Sequence, residues 1–346
     1  MISRVAVSDA GGVPPDREGL RVGVVGPTGA DDFATNIAHC LPELGVRAIA
    51  LGPARLSVRN PRLSRPLRAA RGAFEQIDRA YQRRLLARIE QENLDLVISI
   101  DASLLPETVR EIKRRGVRVC LWFPDAVGTL GRQYMLLGDY DALFFKDPIL
   151  VERLSHVLQL PVWYLPEACN PAWHYPPTSV PETPSVVVAG NVYGARIRLV
   201  NELLNRDIDV RIYGPPIPPW IHDPRITEHH AGRYISRQEK AAVYRGASAV
   251  LNALHPAEMN SVNCRLFEAA GCGAAVLCER REVLSDLFEE DKEVLAFSSF
   301  GELMEKIQFC LKDRAAARDI GDAAALRSHR DHSYAQRLSR LLEIAI

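Results

Sequence analysis

The sequence predicts an α/β protein made of two doubly wound parallel-sheet domains with a ligand cleft between them. Three observations carry this prediction. Apolar strand-like segments alternate with helical segments from residue 21 onward, a Pro-rich stretch at 167–184 interrupts the alternation, and the same order restarts at 185. Since ligands of open α/β sheets bind beyond the carboxyl ends of the strands, we expect the active site between the two domains.

Composition narrows the class of protein. Lys plus Arg equals Asp plus Glu at 43 each among 346 residues, so bulk charge gives no support for a nucleic-acid partner. Seven cysteines without a CxxC pair predict reduced thiols and a cytoplasmic location. The histidine spacing predicts no zinc site. The sequence has no apolar stretch of 18 residues, so we expect no transmembrane segment. Residues 1–20 have the composition of a loose leader.

The first domain is predicted to span residues 21–166 on the acceptor side of the cleft. Its expected order is a strand at 21–25, a turn and helix at 26–45, a strand at 48–51, and a long basic helix at 69–93. Strands at 95–100, 117–123 and 141–145 follow, with helices at 106–115 and 148–159, and a short strand leads into the linker at 167–184.

The second domain is predicted to span residues 185–330. We expect strands at 185–190, 209–214, 225–229, 247–253 and 274–279, with helices at 195–205, 236–246, 300–312 and 314–329. An amphipathic helix at 333–345 follows, within a last segment at 331–346. This order predicts a second parallel α/β unit.

The segment 251–278 is the most informative part of the chain. A polar loop leads into a predicted helix at 262–270 with Ser261 as N-cap, and Arg265 and Glu268 share its polar face. A guanidinium forms bidentate hydrogen bonds with phosphate oxygens, and a carboxylate accepts two hydrogen bonds from the vicinal hydroxyls of a ribose. The pattern therefore indicates a diphosphate plus a ribose, and an i,i+3 ion pair on a solvated helix is the alternative.

Other donor-side candidates come from the ends of predicted strands. Gly190 and Asn191 end the first strand of the second domain, where glycine lets a phosphate approach the backbone. Arg196 begins the next helix and is a second candidate for neutralising phosphate charge, and Tyr213 and Gly214 end the following strand. Plain turn glycines, a core tyrosine and a solvated arginine are the ordinary alternatives.

Several motifs resemble one known family. They are LNxxH at 251–255, NxRxFEAxxCGAxxL at 263–277, LFxxxKEVLAF at 287–297 and HSYAQRL at 332–338. LWFPD at 121–125, YDALFFKDPILVERL at 140–154, YLPEACNP at 164–171 and VAGNVYGARIRLV at 188–200 agree with them. Together they resemble the CgeB-like, spore-maturation-type glycosyltransferases, within the group-1 enzymes of the GT-B fold with two Rossmann-like domains.

The resemblance implies transfer of a sugar from a nucleotide diphosphate sugar, bound in the second domain, to an acceptor in the first. It implies that Glu268 holds donor hydroxyls and that the final helix crosses back to the first domain. The broader group has another glutamate at the position of Asn260, which leaves Asn260, Ser261 and Asn263 as polar contacts to the donor. No DxD dyad occurs in the second domain, so we expect no metal and no other cofactor.

Candidates for catalysis lie at strand ends that face the cleft. An inverting enzyme needs a base, and Asp125 after LWFP is the first choice, while a retaining enzyme needs no protein nucleophile. His255 is a second catalytic candidate that leans toward the donor sugar. Gly26, Asp31, Asp32 and Asp101 are the candidates on the acceptor side, with turn or N-cap roles as alternatives.

The acceptor itself is not identified by the sequence. Segment 55–88 carries ten arginines against Glu75 and Asp78, which favours either an anionic acceptor or a solvated basic helix face. Two other functions remain open. One is a sugar-nucleotide epimerase of the same fold, which needs no acceptor, and the other is a noncatalytic nucleotide-sugar-binding partner subunit.

Overall fold

The computed structural model describes residues 19–56, 66–67, 70, 74–130 and 133–346. Almost all of the predicted leader at 1–20 and much of the Arg-rich segment 55–88 lie outside these residues. Among the described helices, none is long and apolar enough to cross a membrane. The seven cysteines are all described and all free.

The first sheet has six strands that pair in parallel. They are β1 (Arg21–Val25), β2 (Arg47–Gly52), β3 (Leu96–Ser99), β4 (Arg118–Phe123), β5 (Ala142–Phe145) and β6 (Val162–Tyr164), in the spatial order β2-β1-β3-β4-β5-β6. The helices of this part are α1 (Phe33–Cys40), α2 (Gln76–Gln91), α3 (Pro106–Arg114) and α4 (Pro148–Leu158). Strands β3 and β5 are buried along their whole length, as expected where both faces of a parallel sheet are covered.

The second sheet has five parallel strands. They are β7 (Thr183–Ala189), β8 (Val210–Tyr213), β9 (Ala247–Asn252), β10 (Val276–Glu279) and β11 (Leu295–Phe297), in the order β11-β10-β9-β7-β8. Its helices are α5 (Gly194–Leu204), α6 (Pro224–His229), α7 (Arg237–Gly246), α8 (Cys264–Gly271), α9 (Leu284–Leu287), α10 (Phe300–Lys312) and α11 (Arg314–Asp331).

The last helix, α12 (Tyr334–Ala345), packs on the first sheet. Its buried side chains, among them Leu338 and Leu342, join the hydrophobic cluster that contains Val22 and Trp122. Ser333 and Gln336 close a capping box at its start. A bridge between Cys169 and Ser333 fixes the point where the chain returns.

Two local predictions were wrong. The predicted strand at 225–229 is helix α6, because Asp223 caps the N–H groups of Arg225 and Ile226 and Pro224 occupies the first helical position. The predicted helix at 262–270 begins at Cys264, with Asn263 as N-cap in place of Ser261. Asn263 accepts the N–H of Arg265, and the hydroxyl of Ser261 donates to Glu258 in the loop before the helix.

Candidate active site in the interdomain cleft

Gly190 lies directly after β7 and opens the candidate anion site. Its φ of 104° is in the left-handed region, and its N–H donates to the carbonyl of Tyr213 over 2.7 Å. A Cβ at this position would collide with the guanidinium of Arg265 and lie 3.4 Å from Nη1 of Arg196. Two arginine side chains therefore converge on one glycine at the end of a parallel strand.

Arg196 is the more buried of these two arginines, at 4% exposure. Its Nη2 donates to the carbonyl of Ala253 over 3.0 Å, and its Nη1 donates to the carbonyl of Asn191. Its buried Nε has no hydrogen-bond partner. Burial, and secondly the charge of Arg265, lower the pKa of Arg196 to about 10. Arg196 therefore stays positively charged at neutral pH, although burial disfavours the charge.

Arg265 is placed by the first turn of α8. Asn263 caps the helix by accepting the Arg265 N–H over 3.2 Å, and Nη1 of Arg265 donates to Oδ1 of Asn252 over 3.2 Å. Within the described part of the chain, neither Arg196 nor Arg265 forms an ion pair with a carboxylate. Two converging guanidinium groups without a counter-ion are suited to an oxyanion such as a diphosphate.

The position of this site follows from the strand order. In the second sheet β7 lies between β9 and β8. The chain continues from β7 to β8 on one side and then crosses to β9 on the other, so the topology switches between β7 and β9. Gly190 follows β7, and Asn252 and Ala253 end or follow β9. The candidate anion site therefore lies at the switch point, where doubly wound sheets bind ligands.

The remaining strand-end candidates surround this site. Asn191 accepts a hydrogen bond from the exposed Tyr234 hydroxyl over 3.2 Å, and a Cβ on Gly214 would collide with the Gly190 carbonyl. Tyr213 ends β8 and packs partly against the core. His255 is exposed, its ring meets Tyr193 edge-on at 4.8 Å, and its Nδ1 accepts the Ala257 N–H. The proton of a neutral His255 is therefore on Nε2.

Glu268 lies deeper in the cleft and is 8% exposed. Its Oε2 is 3.0 Å from Nζ of Lys240 on α7, and the same ammonium contacts Asp31 of the first domain. Asp31 also accepts a hydrogen bond of 3.1 Å from Nε2 of the buried His174. We call Asp31, His174, Lys240 and Glu268 the Lys240 junction. The side chain of Asp31 therefore reaches the second domain.

The ionisation of the Lys240 junction is set by its geometry. Nδ1 of His174 accepts the Asn170 N–H, so Nε2 carries the hydrogen that it donates in its hydrogen bond to Asp31. Burial by itself raises the pKa of Asp31, but the His174 hydrogen bond and the Lys240 charge outweigh it and hold that pKa well below its usual range. Asp31, His174 and Glu268 have polar side-chain atoms within 4.8 Å of one another. The ammonium of Lys240 supplies a positive charge to two of them.

A second buried group of charges joins the domains, and we call it the Lys146 junction. Nζ of Lys146, just after β5, lies 2.7 Å from Oε1 of Glu258 and 3.8 Å from Oε2 of Glu167. The hydroxyl of Ser261 donates to the other oxygen of Glu258. Burial, only partly offset by Lys146, raises the pKa of Glu167 to about 8.

Asn260 and Ser261 thus face the first domain. The N–H of Asn260 donates to Oδ2 of Asp147 over 3.1 Å, and its side-chain oxygen accepts the Val283 N–H. The sequence predicts that Asn260 and Ser261 contact the donor, but the polar atoms named here already bind protein groups. Donor contact by these two residues stays a prediction. The predicted donor set therefore divides into the anion site and residues that join the domains.

The first domain contains a cavity of about 770 Å³ at its own switch point, between β1 and β3. Residues after three strands form its base, and apolar side chains such as Phe33 and Phe123 line it. Its described lining carries one guanidinium and five carboxylates, on Arg55, Asp32, Glu75, Asp78, Asp101 and Asp125. The predicted acceptor-side residues Asp32 and Asp101 thus lie together with the predicted base Asp125.

The partners of these carboxylates differ. Asp101 accepts the N–H groups of Ser103 and Ala54, and Asp32 accepts the N–H of Gly29, so both have structural hydrogen bonds. Asp125 is exposed to the cavity. Gly26 is buried beneath, against Ile100, and donates its N–H to Gly52. Asp125 is therefore the carboxylate most available to a bound molecule.

Sequence reasoning did not single out Lys240, His174, Lys146 or Glu167. Lys146 had a usable signal, since a charged residue directly after the buried strand β5 lies at the ligand-binding edge of the sheet. Lys240 is one lysine on an ordinary polar helix, and His174 lies in the Pro-rich linker. These residues come close together only because the two domains pack against each other, and local sequence patterns contain no information about that packing.

The fold and the anion site define a two-domain α/β protein with its ligand cleft between parallel sheets. Residues 196–343 match the family model described as glycosyl transferase-like. The matched region includes Arg196, Lys240, Arg265 and Glu268. No curated protein matches the chain by sequence.

Several solved structures have the same fold as this chain. Sucrose-phosphate synthase from Thermosynechococcus elongatus aligns with a TM-score of 0.63 at 11% identity, over 93% of this chain and 98% of that one. Anabaena HepE in complex with UDP gives 0.61 at 10% identity, over 93% and 99%. AviGT4, a glycosyltransferase of avilamycin A biosynthesis, gives 0.61 at 14%, over 94% and 97%. The predicted GT-B fold is confirmed, and the family match supports the predicted glycosyltransferase function.

Proposed function

We propose that the protein transfers a sugar from a nucleoside diphosphate sugar to a hydroxyl-bearing acceptor. The observation that carries this proposal is the pair of guanidinium groups, Arg196 and Arg265, which converge on Gly190 at a topological switch point and form no ion pair with a described carboxylate. A diphosphate placed there receives charge-assisted hydrogen bonds from both arginines. Glu268 then accepts hydrogen bonds from the donor ribose or sugar hydroxyls.

The same arginines supply the main chemical effect. As the bond between the sugar and the diphosphate breaks, negative charge develops on the leaving phosphate, and positioned cations stabilise it more than they stabilise the intact donor. Because the charge comes from side chains, we propose that transfer does not require a metal ion. Activity that is unchanged in EDTA supports this point, and activity restored only by Mg²⁺ or Mn²⁺ contradicts it.

On the first domain, we propose that the acceptor occupies the 770 Å³ cavity. Asp125 is placed to take the acceptor proton in an inverting reaction, and a retaining reaction would leave it without that role. An anionic acceptor would have to find its cations among the arginines of segment 55–88, since the described lining is mainly acidic. We retain the CgeB-like subgroup and a cytoplasmic location as parts of this proposal.

The test is a thermal-shift screen with UDP, GDP, dTDP and CMP and their sugars. HepE was solved with UDP, so UDP is the first probe for this chain. A ligand at about 100 times its Kd adds about 2.7 kcal/mol to the unfolding free energy, which is a clear shift. Arg265→Ala and Glu268→Ala should abolish the shift, whereas Arg198→Ala, exposed on the same helix as Arg196, should keep it.

The outcomes separate the candidate functions. Loss of the shift in both site variants, with product formed only when an acceptor is added, supports a transferase. Full binding by both variants contradicts the proposed site. An isomerised donor sugar formed without an acceptor would indicate an epimerase instead.

A further inference from the structure

The Lys240 junction links the donor side of the cleft to the first domain through one ammonium group. Lys240 is 7% exposed, and its Nζ contacts Glu268 at 3.0 Å and Asp31 at its other side. Asp31 belongs to the loop between β1 and α1, whereas Lys240 and Glu268 belong to α7 and α8. The two carboxylates come from different domains, and one ammonium contacts both.

The backbone at this junction is unusual on both sides. Asp31 has a φ of 66° and Arg237 a φ of 50°, both in the left-handed region, and the Arg237 N–H donates to Asp31 over 3.3 Å. Such conformations cost free energy at non-glycine residues and persist where the surroundings enforce them. The guanidinium of Arg237 lies 4.3 Å from the ring centre of Trp173 in the linker. The first turn of α7 is therefore fixed against both the first domain and the linker.

Without the ammonium, Asp31 and Glu268 would face each other as like charges. Their ligand atoms lie within 4.8 Å, a separation at which two buried carboxylates repel strongly. Nε2 of His174 donates a hydrogen bond of 3.1 Å to Asp31 but makes no contact of this kind with Glu268 among the described hydrogen bonds. Lys240 is thus the only described lysine or arginine that forms an ion pair with Glu268.

We propose that Lys240 is a positioning residue, which holds Glu268 toward the donor ribose and couples donor binding to contact between the two domains through Asp31. This inference rests on the proposed function of Glu268. It assigns a role to a lysine that does not itself contact the donor. Oε2 of Glu268 stays with Lys240, and Oε1 is left for the ligand.

Calorimetric titration of the full chain with UDP and with inorganic pyrophosphate tests the proposal. Pyrophosphate needs Arg196 and Arg265 but no ribose contact, so it reports on the anion site by itself. Lys240→Met should weaken UDP roughly tenfold, the size of a typical coupling between sites, and leave pyrophosphate binding unchanged. Lys240→Arg, which keeps the charge, should recover most of the UDP affinity. Lys312→Met, on the exposed end of α10, is the matched control.

A double-mutant cycle tests the link to the first domain. Asp31→Asn should weaken UDP several-fold in the wild-type background, because the interdomain contact is lost. In the Lys240→Met background it should strengthen UDP, because it removes the carboxylate that repels Glu268. The change of sign is specific to a shared ammonium. Asp31→Asn and Lys240→Arg keep the test available if Lys240→Met does not fold.

Three results would overturn the inference. They are unchanged UDP affinity in Lys240→Met, equal losses of UDP and pyrophosphate, and an Asp31→Asn effect with the same sign in both backgrounds. Failure of the proposed function has a different signature, since the wild-type protein would then bind none of the nucleoside diphosphates.

Discussion

The two sides of the cleft use the same strand-end geometry with opposite charge. At the switch point of the second sheet, two arginines converge on Gly190, whereas at that of the first sheet the described cavity lining carries five carboxylates and one arginine. Parallel sheets place their ligand-binding loops in the same way in both cases. The comparison teaches that the fold supplies the position of a site and the side chains supply its chemistry.

This difference suits the two halves of a transfer reaction. A departing diphosphate needs fixed positive charge, and an acceptor hydroxyl needs a nearby group that takes a proton. The two buried junctions that tie the sides together are made of charges of both signs. Each prediction below alters one side, or the contact between the sides, and asks whether the other side responds.

The largest effect is expected on the acidic side. For an inverting reaction, Asp125→Asn should lower kcat of transfer by about 1000-fold, the range of a lost general base, and leave the Kd for UDP unchanged. Steady-state kinetics and calorimetry measure the two quantities. Asp139→Asn, exposed just before β5 at the opposite edge of the sheet, is the control. A kcat within threefold of the wild-type value, by the same assay, would remove Asp125 from the mechanism.

On the cationic side, Gly190→Ala should weaken UDP by about 100-fold, because two charge-assisted hydrogen bonds are lost when Arg265 is displaced. The new methyl group collides with that guanidinium, and the backbone φ of 104° disfavours alanine. Gly194→Ala is the matched control, since a Cβ there has no neighbour within 4 Å. Equal UDP affinity in both variants would show that the diphosphate does not bind at Gly190.

The Lys146 junction should make the contact between the sides depend on pH. Burial raises the pKa of Glu167 to about 8, above the ordinary value of 4.5, so the folded protein keeps a proton that the unfolded chain loses. The free energy of unfolding should therefore fall as pH rises from about 4.5 to about 8. Glu167→Gln should flatten this slope and stabilise the protein at pH 8, where each unit of the pKa shift corresponds to about 1.4 kcal/mol.

Urea unfolding at several pH values measures this effect. Glu305→Gln, on an exposed position of α10, corrects for the change in net charge. A slope in Glu167→Gln equal to that of the wild-type protein would mean that Glu167 does not hold the proton.

The smallest effect is expected for His255, which is on the donor side but outside the anion site. His255→Ala should lower kcat about fivefold, the value of one ordinary hydrogen bond to the donor sugar. His255→Gln, which keeps a donor N–H, should recover part of the rate. A loss of 100-fold or more would instead make His255 a proton-transfer group.

The sequence predicted the parts of this molecule that depend on local pattern. Gly190, Arg196 and Arg265 were chosen because they lie at strand ends and helix starts, and the structure brings these three together. The segment predicted as a strand at 225–229 is a helix, because the cap at Asp223 and Pro224 outweighs the β-propensity of Ile226 and Thr227. The predicted Ser261 cap is wrong because Asn263 accepts the Arg265 N–H, while the hydroxyl of Ser261 donates to Glu258 in the junction with Lys146 of the other domain.

The two junctions were not accessible to pattern reasoning. Lys240 and Asp31 are separated by more than two hundred residues, and neither has a local signal for the other. Their contact exists only when the two sheets have packed against each other and the linker has placed His174 beside Asp31. Such contacts are set by tertiary packing, which also makes them the points where binding on one side is able to affect the other.

The return of α12 to the first sheet has a consequence for how the chain folds during synthesis. Residues 334–345 complete the hydrophobic cluster around Val22 and Trp122, yet they leave the ribosome after the whole second domain. Domains usually fold in order as they emerge, so the first domain must wait, with that apolar surface uncovered, until the last helix arrives. Chaperone demand during translation should therefore be concentrated on the first domain.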